Sequence, residues 1–161
     1  MIALHLLRHA HAGDPDKWKG DDADRPLSEK GLRQADRLGR LLATTDDAPD
    51  LFVTSPKVRA AQTAEGVAAA FGAPVVVDER LARPLDLHVV GDLLREHPDA
   101  ARPCLVGHDP DFSELLAELL GITDIGMRKG AIARVDVDGP DLAPGGGVLR
   151  YFLPPELLPA R

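Results

Sequence analysis

Short apolar runs alternate along this chain with longer segments that carry leucine and alanine at helical spacing. The run Ile2–Arg8 precedes an amphipathic segment that continues to about Ala43, with Ser28 at the position of a helix N-cap. Buried strands that alternate with amphipathic helices are typical of a parallel sheet covered on both faces. The sequence therefore predicts an α/β fold with three layers, α/β/α, around a mostly parallel central sheet.

The same alternation continues through the rest of the chain. We expect further buried strands within residues 50–55, 73–78 and 103–108, and helices over 56–71, 89–96 and 109–121. Two final strands, within 131–138 and 147–154, are expected to form an antiparallel hairpin at the edge of the sheet. Residues 12–25 are polar and rich in Gly, Asp and Pro, which predicts a surface loop. No repeat or linker interrupts the pattern, so residues 1–161 are expected to form one domain.

Composition and charge argue against several classes of partner. The net charge is -7 and the chain has no basic run, so neither nucleic acid nor an anionic membrane surface is expected to bind. Cys104 is the only cysteine, which rules out an intramolecular disulfide and a cysteine-based zinc site. The N-terminal residues lack the basic segment of a signal peptide, and no apolar stretch approaches the ~20 residues of a membrane span. We expect a cytoplasmic protein that binds any anion through a local cluster of cations.

Arginine and histidine side chains follow three of the predicted strands. Arg8 and His9 end the first strand, His108 ends the fourth, and Arg59 lies about one turn into the helix after the second. Because ligands gather at the carboxyl ends of parallel strands, we expect these four side chains to converge. The planar fork of arginine matches a phosphate or a carboxylate, and helix N-termini add N–H donors. The pattern predicts a phosphoryl site inside an otherwise acidic protein.

Five sequence blocks, in this order and spacing, resemble the motifs of the histidine phosphatase superfamily, whose fold is phosphoglycerate-mutase-like. The blocks are RHA at Arg8–Ala10, RPLSEKG at Arg25–Gly31, SPKVRAAQTAE at Ser55–Glu65, LVGHDP at Leu105–Pro110 and KGAIARV at Lys129–Val135. The short chain is most similar to the SixA-type phosphohistidine phosphatases, the compact branch without an inserted cap domain. Ala10 stands where the family motif has Gly, so we expect an ordinary negative φ at this residue.

The resemblance implies that His9 is a nucleophile that forms a covalent phosphohistidine intermediate. It also implies that Arg8, Arg59 and a protonated His108 form the phosphate pocket. These cations would stabilise the equatorial phosphoryl oxygens, where charge accumulates, so that no metal or other cofactor is required. The attacking imidazole must be neutral, and its other ring nitrogen must donate a hydrogen bond that holds the correct tautomer.

Three further polar residues are candidates for substrate binding. Ser55 either donates to a phosphate oxygen or caps the helix that follows it. Arg25 either forms a salt bridge within its loop or reaches the rim of the phosphate pocket. His11 is either a rim residue that touches the substrate or a solvated loop residue. A metal site shared by His9 and His11 is disfavoured, because no second histidine-rich block follows.

The general acid is left open by the sequence. Superfamily members use a carboxylate after the third strand, where Glu79 and Asp86 stand here, or an Asp directly after the second histidine, where Asp109 stands. A dedicated acid is also dispensable for a phosphoramidate, because the imidazole leaving group can be protonated before the P–N bond breaks. Glu79, Asp109 and the absence of a dedicated acid are therefore three hypotheses.

We expect a metal-independent phosphatase that acts on phosphohistidine in a partner protein, because an active site without a cap domain is open to a phosphohistidine carried by another protein. One alternative is a phosphatase for a small phosphate monoester. Another is a catalytically silent phosphate-binding module, which is disfavoured because a pure binder does not need a nucleophilic imidazole such as His9. Phosphomutase activity is also disfavoured, because this short chain has little material for a lid.

Overall fold

A six-stranded sheet with helices on both faces forms the protein in a computed structural model that describes residues 1–160. The strands are β1 (Ile2–Arg8), β2 (Leu51–Thr54), β3 (Val75–Val77), β4 (Pro103–Gly107), β5 (Ile132–Val137) and β6 (Val148–Leu153). The helices are α1 (Glu29–Ala43), α2 (Val58–Ala68), α3 (Leu87–Glu96) and α4 (Asp111–Leu120). None of the helices in this described part is both long enough and apolar enough to cross a bilayer.

The strands lie in the order β3-β2-β4-β1-β5-β6. The pairs β3/β2, β2/β4 and β4/β1 are parallel, whereas β5 runs antiparallel to β1 and β6 antiparallel to β5. The prediction of a mostly parallel sheet with an antiparallel edge is thus confirmed, with β6 as the edge strand and β5 between β1 and β6.

Apolar side chains of β1 alternate between two clusters, one on each face of the sheet. Leu4 and Leu6 pack with α3 and α4, and Leu7 packs with α1 and α2. Phe112 of α4 and Phe52 of β2 are fully buried, one in each cluster. Each face of the sheet is therefore covered by a pair of helices, which confirms the expected α/β/α layering.

The third strand differs from its prediction as a buried element. Strand β3 is three residues long and ends the sheet, so only one of its sides is paired. Val76 and Val77 are 37% and 60% exposed. A strand is buried only where other elements pack on its faces. The apolar run of valines does not by itself show whether the strand lies in the centre or at the edge of the sheet.

Three helices begin at other residues than predicted. Helix α4 begins at Asp111, two residues after its predicted start. Helix α2 begins at Val58 rather than Pro56, because Lys57, its N-cap residue, has an extended and not a helical backbone conformation. Helix α3 begins at Leu87, two residues before its predicted start, because the Asp86 side chain caps it by accepting from Val89 N at 2.8 Å.

The segment between β1 and α1 is held against the end of β1. It contains 3₁₀ turns at Pro15–Lys17 and Asp22–Asp24. Ser28 caps α1 as predicted, with its Oγ accepting from Gly31 N at 3.1 Å, and Ser28 N donates to His11 O at 3.0 Å. A Cβ on Gly31 would overlap the His11 carbonyl oxygen, so only glycine allows this close approach.

Candidate active site

The carboxyl ends of β1, β4 and β2 lie side by side and deliver the polar residues that follow them. Arg8 is opposite Gly107 in the parallel β1/β4 register. Beyond the strands, His9 N donates to Gly107 O and Ser55 N donates to Val106 O, each at 3.0 Å. The backbone hydrogen bonds between the strands therefore continue into the loops and fix the backbone positions from which these side chains extend.

The ring of His9 is buried and has one orientation. The residue is 5% exposed, and its Nδ1 lies 2.8 Å from the carbonyl oxygen of Ala10. Because a carbonyl oxygen only accepts, Nδ1 carries the hydrogen and Nε2 of the neutral ring has the free lone pair. Ala10 N in turn donates to Thr63 Oγ1 at 3.0 Å. No non-glycine residue within 1–160 has a positive φ, which confirms the expectation for Ala10.

His108 lies beside His9, with the ring centroids 5.3 Å apart. Burial lowers the pKa of His9 from 6.5 to about 3, and the positive charges of Arg59 and Arg8 act in the same direction. Burial also lowers the pKa of His108 to about 3, helped by Lys57 and Arg59. An imidazolium at His108 is therefore disfavoured in the pocket formed by protein groups alone, because it would be buried among guanidinium groups. The protonated His108 expected from the sequence is one that contacts a phosphoryl group, and it stays a prediction.

Arg8 and Arg59 each keep a guanidinium hydrogen that no group within residues 1–160 accepts. Arg59 is 5% exposed, and Arg8 donates from Nη1 to Met127 O at 2.7 Å. The Nε atoms of both arginines are buried and have no hydrogen-bond partner in the part of the chain that the structure describes. Since an oxyanion accepts several such bonds, these two N–H groups are suited to a phosphoryl oxygen.

Asp22 lies at this site and was missed by the sequence analysis. Its Oδ2 accepts from Arg59 Nη2 at 2.9 Å, and its carbonyl oxygen accepts from Arg59 Nη1 at 2.8 Å. Its Oδ1 accepts from Arg25 Nε at 3.2 Å. In the sequence Asp22 is one of several aspartates in a polar loop, and only the conformation of that loop distinguishes it from Asp21 and Asp24.

Ser55 contacts His108 rather than capping α2. Its Oγ lies 2.8 Å from His108 Nε2 and accepts from Lys57 N at 3.2 Å. Helix α2 has Lys57 as its N-cap and no side-chain cap. If Ser55 donates its hydroxyl hydrogen to Nε2, the neutral His108 ring carries its own hydrogen on Nδ1, which is buried and has no partner within residues 1–160.

Arg25 and His11 support the loop next to the pocket. Arg25 is buried and donates from Nη1 to Ala12 O at 2.7 Å, besides its ion pair with Asp22. This is the salt bridge within the loop that was one of two hypotheses for Arg25. His11 Nδ1 lies 2.6 Å from Ser28 Oγ, at the start of α1. The structure therefore gives both residues contacts within the loop.

The two candidate acids lie in different surroundings. Asp109 Oδ2 is 3.5 Å from Arg8 Nη1, and its carboxylate accepts from the N and Oγ of Ser113 at 3.0 and 2.7 Å. The Glu79 side chain is 76% exposed and pairs with Arg83 at 3.4 Å. The geometry thus places Asp109, and not Glu79, in contact with the arginine–histidine cluster.

Comparisons with known proteins agree with this architecture. Residues 4–83 match the sequence profile of the Histidine phosphatase superfamily (branch 1). An uncharacterised protein of Mycobacterium tuberculosis is 30% identical over 158 residues, which cover 91% of this chain and 98% of the relative. The chain belongs to the histidine phosphatase superfamily and is a phosphoric hydrolase of that class.

Two solved structures of SixA proteins are similar over nearly their whole length. One is the protein histidine phosphatase SixA complexed with tungstate, with a TM-score of 0.81, 26% identity, and coverage of 96% of this chain and 97% of that one. The other is a SixA protein of Agrobacterium tumefaciens, assigned as a phosphohistidine phosphatase, with a TM-score of 0.76 and 26% identity over 94% of this chain and 97% of that one. The fold is thus SixA-like, without an added cap domain.

The lowered pKa values predict that neither His9 nor His108 titrates between pH 5 and 8 in phosphate-free buffer. Their Cε1–H resonances should stay constant over this range in NMR spectra, and a midpoint near 6.5 for either ring would contradict the assignment. Because the pKa of each ring is lowered from 6.5 to about 3 by folding, the unfolded chain binds these protons at a higher pH than the folded protein does. The free energy of unfolding should therefore decrease as the pH falls from 6.5 towards 3, and replacing both rings with Asn should reduce this dependence.

Proposed function

We propose that this phosphatase removes phosphate from phosphohistidine in a partner protein, with Nε2 of His9 as the nucleophile. The observation that carries the proposal is the buried, neutral His9 ring, whose Nδ1–H is held by the Ala10 carbonyl oxygen at 2.8 Å. This bond leaves the lone pair of Nε2 free for attack. A nucleophile that is already deprotonated needs no separate base in the first step.

The first step transfers the phosphoryl group to the enzyme. Nε2 of His9 attacks phosphorus in line, a P–Nε2 bond forms, and the P–N bond to the leaving imidazole breaks as that imidazole keeps or gains a proton. Arg8 and Arg59 donate to the equatorial oxygens through their Nε–H groups, and His108 donates from the neighbouring ring. The negative charge of a bound phosphoryl group favours the protonated form of His108, which burial and the neighbouring positive charges disfavour in the free enzyme.

In the second step water attacks the phosphorus of phospho-His9. The P–Nε2 bond breaks, inorganic phosphate leaves, and the His9 ring returns to its neutral form. The cations that bind the phosphoryl group are part of the chain, which is why we propose a mechanism without a metal or another cofactor.

Protein-borne phosphohistidine is favoured over a small phosphate ester for two reasons. The fold has no added cap domain, which leaves room for a substrate attached to another protein. One similar SixA structure is that of a protein histidine phosphatase, and the other is assigned as a phosphohistidine phosphatase. A phosphatase for a small phosphate monoester, which would use the same first step, is the alternative.

Steady-state turnover tests this proposal with two substrates. One is a histidine peptide phosphorylated with phosphoramidate, and the other is glycerol phosphate. We expect kcat/KM to be at least about tenfold higher for the peptide, because its leaving group is the easier to protonate.

His9→Asn should lower kcat by about 10³-fold or more, whereas His88→Asn, on the exposed surface of α3, serves as the matched control. Preference for glycerol phosphate would favour the small-ester alternative, and full activity of His9→Asn would refute the nucleophile.

The general acid is tested by Asp109→Asn. Because an alkoxide leaving group requires a proton donor, this variant should lower kcat for glycerol phosphate by about 10²-fold, and for the phosphohistidine peptide by less than about threefold. The Asn side chain retains an oxygen that can accept from Ser113 N, so α4 should remain intact. Glu79→Gln is the control and should leave both rates unchanged. An equal loss on both substrates after Asp109→Asn would contradict a role as acid.

A further inference from the structure

Both terminal nitrogens of Arg59 donate to one residue. Nη1 donates to the carbonyl oxygen of Asp22 at 2.8 Å and Nη2 donates to its carboxylate at 2.9 Å. Asp22 therefore holds the outer end of the guanidinium group by two points, one on its backbone and one on its side chain. A planar group held at two points cannot rotate freely about its last bonds.

Asp22 is itself fixed to the loop that follows β1. Its Oδ1 accepts from Arg25 Nε at 3.2 Å, and Arg25 Nη1 donates to Ala12 O at 2.7 Å. A continuous series of hydrogen bonds thus runs from Ala12, three residues after His9, through Arg25 and Asp22 to Arg59. Through this series the loop after β1 and helix α2 hold each other in one arrangement.

The Nε–H of Arg59 lies on the other part of the guanidinium group. This atom is buried and has no hydrogen-bond partner within residues 1–160, and the charge of Arg59 lowers the pKa of both His9 and His108. Asp22 binds the terminal nitrogens of Arg59, so the Nε–H edge of the guanidinium group stays available to an oxyanion beside the rings of His9 and His108.

We propose that Asp22 is a positioning residue of the phosphatase: by binding the two terminal nitrogens of Arg59, it aims the Nε–H edge at the phosphoryl group attached to His9. This role rests on the function proposed above. It predicts that Asp22 contributes to the rate of phosphoryl transfer rather than to the affinity for phosphate.

The charge of Asp22 makes this role distinguishable from that of a simple cover over the pocket. Partial burial would raise the pKa of Asp22, but hydrogen bonds from Arg25 and Arg59 outweigh it and hold the pKa below its usual value, so the side chain is a carboxylate. A carboxylate beside a phosphate site repels the phosphate. Removing a mere cover would therefore tighten phosphate binding and leave or raise kcat, whereas removing a positioning group lowers kcat.

The experiment measures kcat and the inhibition constant of orthophosphate for Asp22→Ala, Asp22→Asn and Asp22→Glu. Asp24→Asn, an exposed aspartate in the same 3₁₀ turn, is the matched control. We expect Asp22→Ala and Asp22→Asn to lower kcat about tenfold with less than about a threefold rise in the inhibition constant, Asp22→Glu to recover part of kcat, and the control to match the wild type. Unchanged or raised kcat in Asp22→Ala would overturn the proposal, and thermal unfolding shows whether each variant is folded.

A second measurement does not depend on activity. The Arg59 Nε–H resonance in a ¹H–¹⁵N spectrum reports whether the guanidinium group is held, and it should broaden or exchange with water faster in Asp22→Ala than in Asp24→Asn. An identical resonance in the two variants would overturn the positioning role. If the wild-type protein hydrolyses none of the phosphate compounds while the Arg59 signal still depends on Asp22, the proposed function fails and the contact between Asp22 and Arg59 stands.

Discussion

The hydrogen bond from His9 Nδ1 to the carbonyl oxygen of Ala10 is the contact on which the proposed chemistry depends. It selects one tautomer and one ring orientation, and the backbone that makes it is held from several sides. His9 N donates to Gly107 O at 3.0 Å, Ala10 N donates to Thr63 Oγ1 at 3.0 Å, and Gly130 N donates to His9 O at 2.9 Å. Elements far apart in the chain thus fix the turn after β1, and through it the direction of the Nε2 lone pair.

Each arginine of the cluster is paired with a carboxylate from a different loop. Asp22 binds Arg59 at 2.9 Å, and Asp109 lies 3.5 Å from Arg8. Buried guanidinium groups without counter-charges would be costly, and full neutralisation would remove the attraction for phosphate. In both arginines the Nε–H stays unpaired within the described residues, so the carboxylates reduce the cost of burial while a donor remains for an oxyanion. An acidic chain can build a cationic pocket in this way.

Sequence patterns predicted the parts of the site that follow from local periodicity. The apolar runs placed Arg8, His9 and His108 at strand ends, and the parallel order of β1 and β4 brings them to one edge of the sheet. The low pKa of His108 in the phosphate-free pocket was not predicted from the sequence, because it depends on burial and on Lys57 and Arg59, which only tertiary packing brings close. Asp22 was missed for a related reason, since its contact with Arg59 spans 37 residues and arises from a 3₁₀ turn that no hydrophobic pattern specifies.

The most direct test of this account is the position of phosphate on the trapped enzyme. The protein is mixed with the phosphorylated histidine peptide, denatured in alkali within milliseconds, and examined by ³¹P NMR and by mass spectrometry of its peptides. We expect one acid-labile phosphate on His9, bonded to Nε2, because Nδ1 donates to Ala10 O. Phosphate on Nδ1 of His9, on another residue, or on no residue during turnover would contradict it.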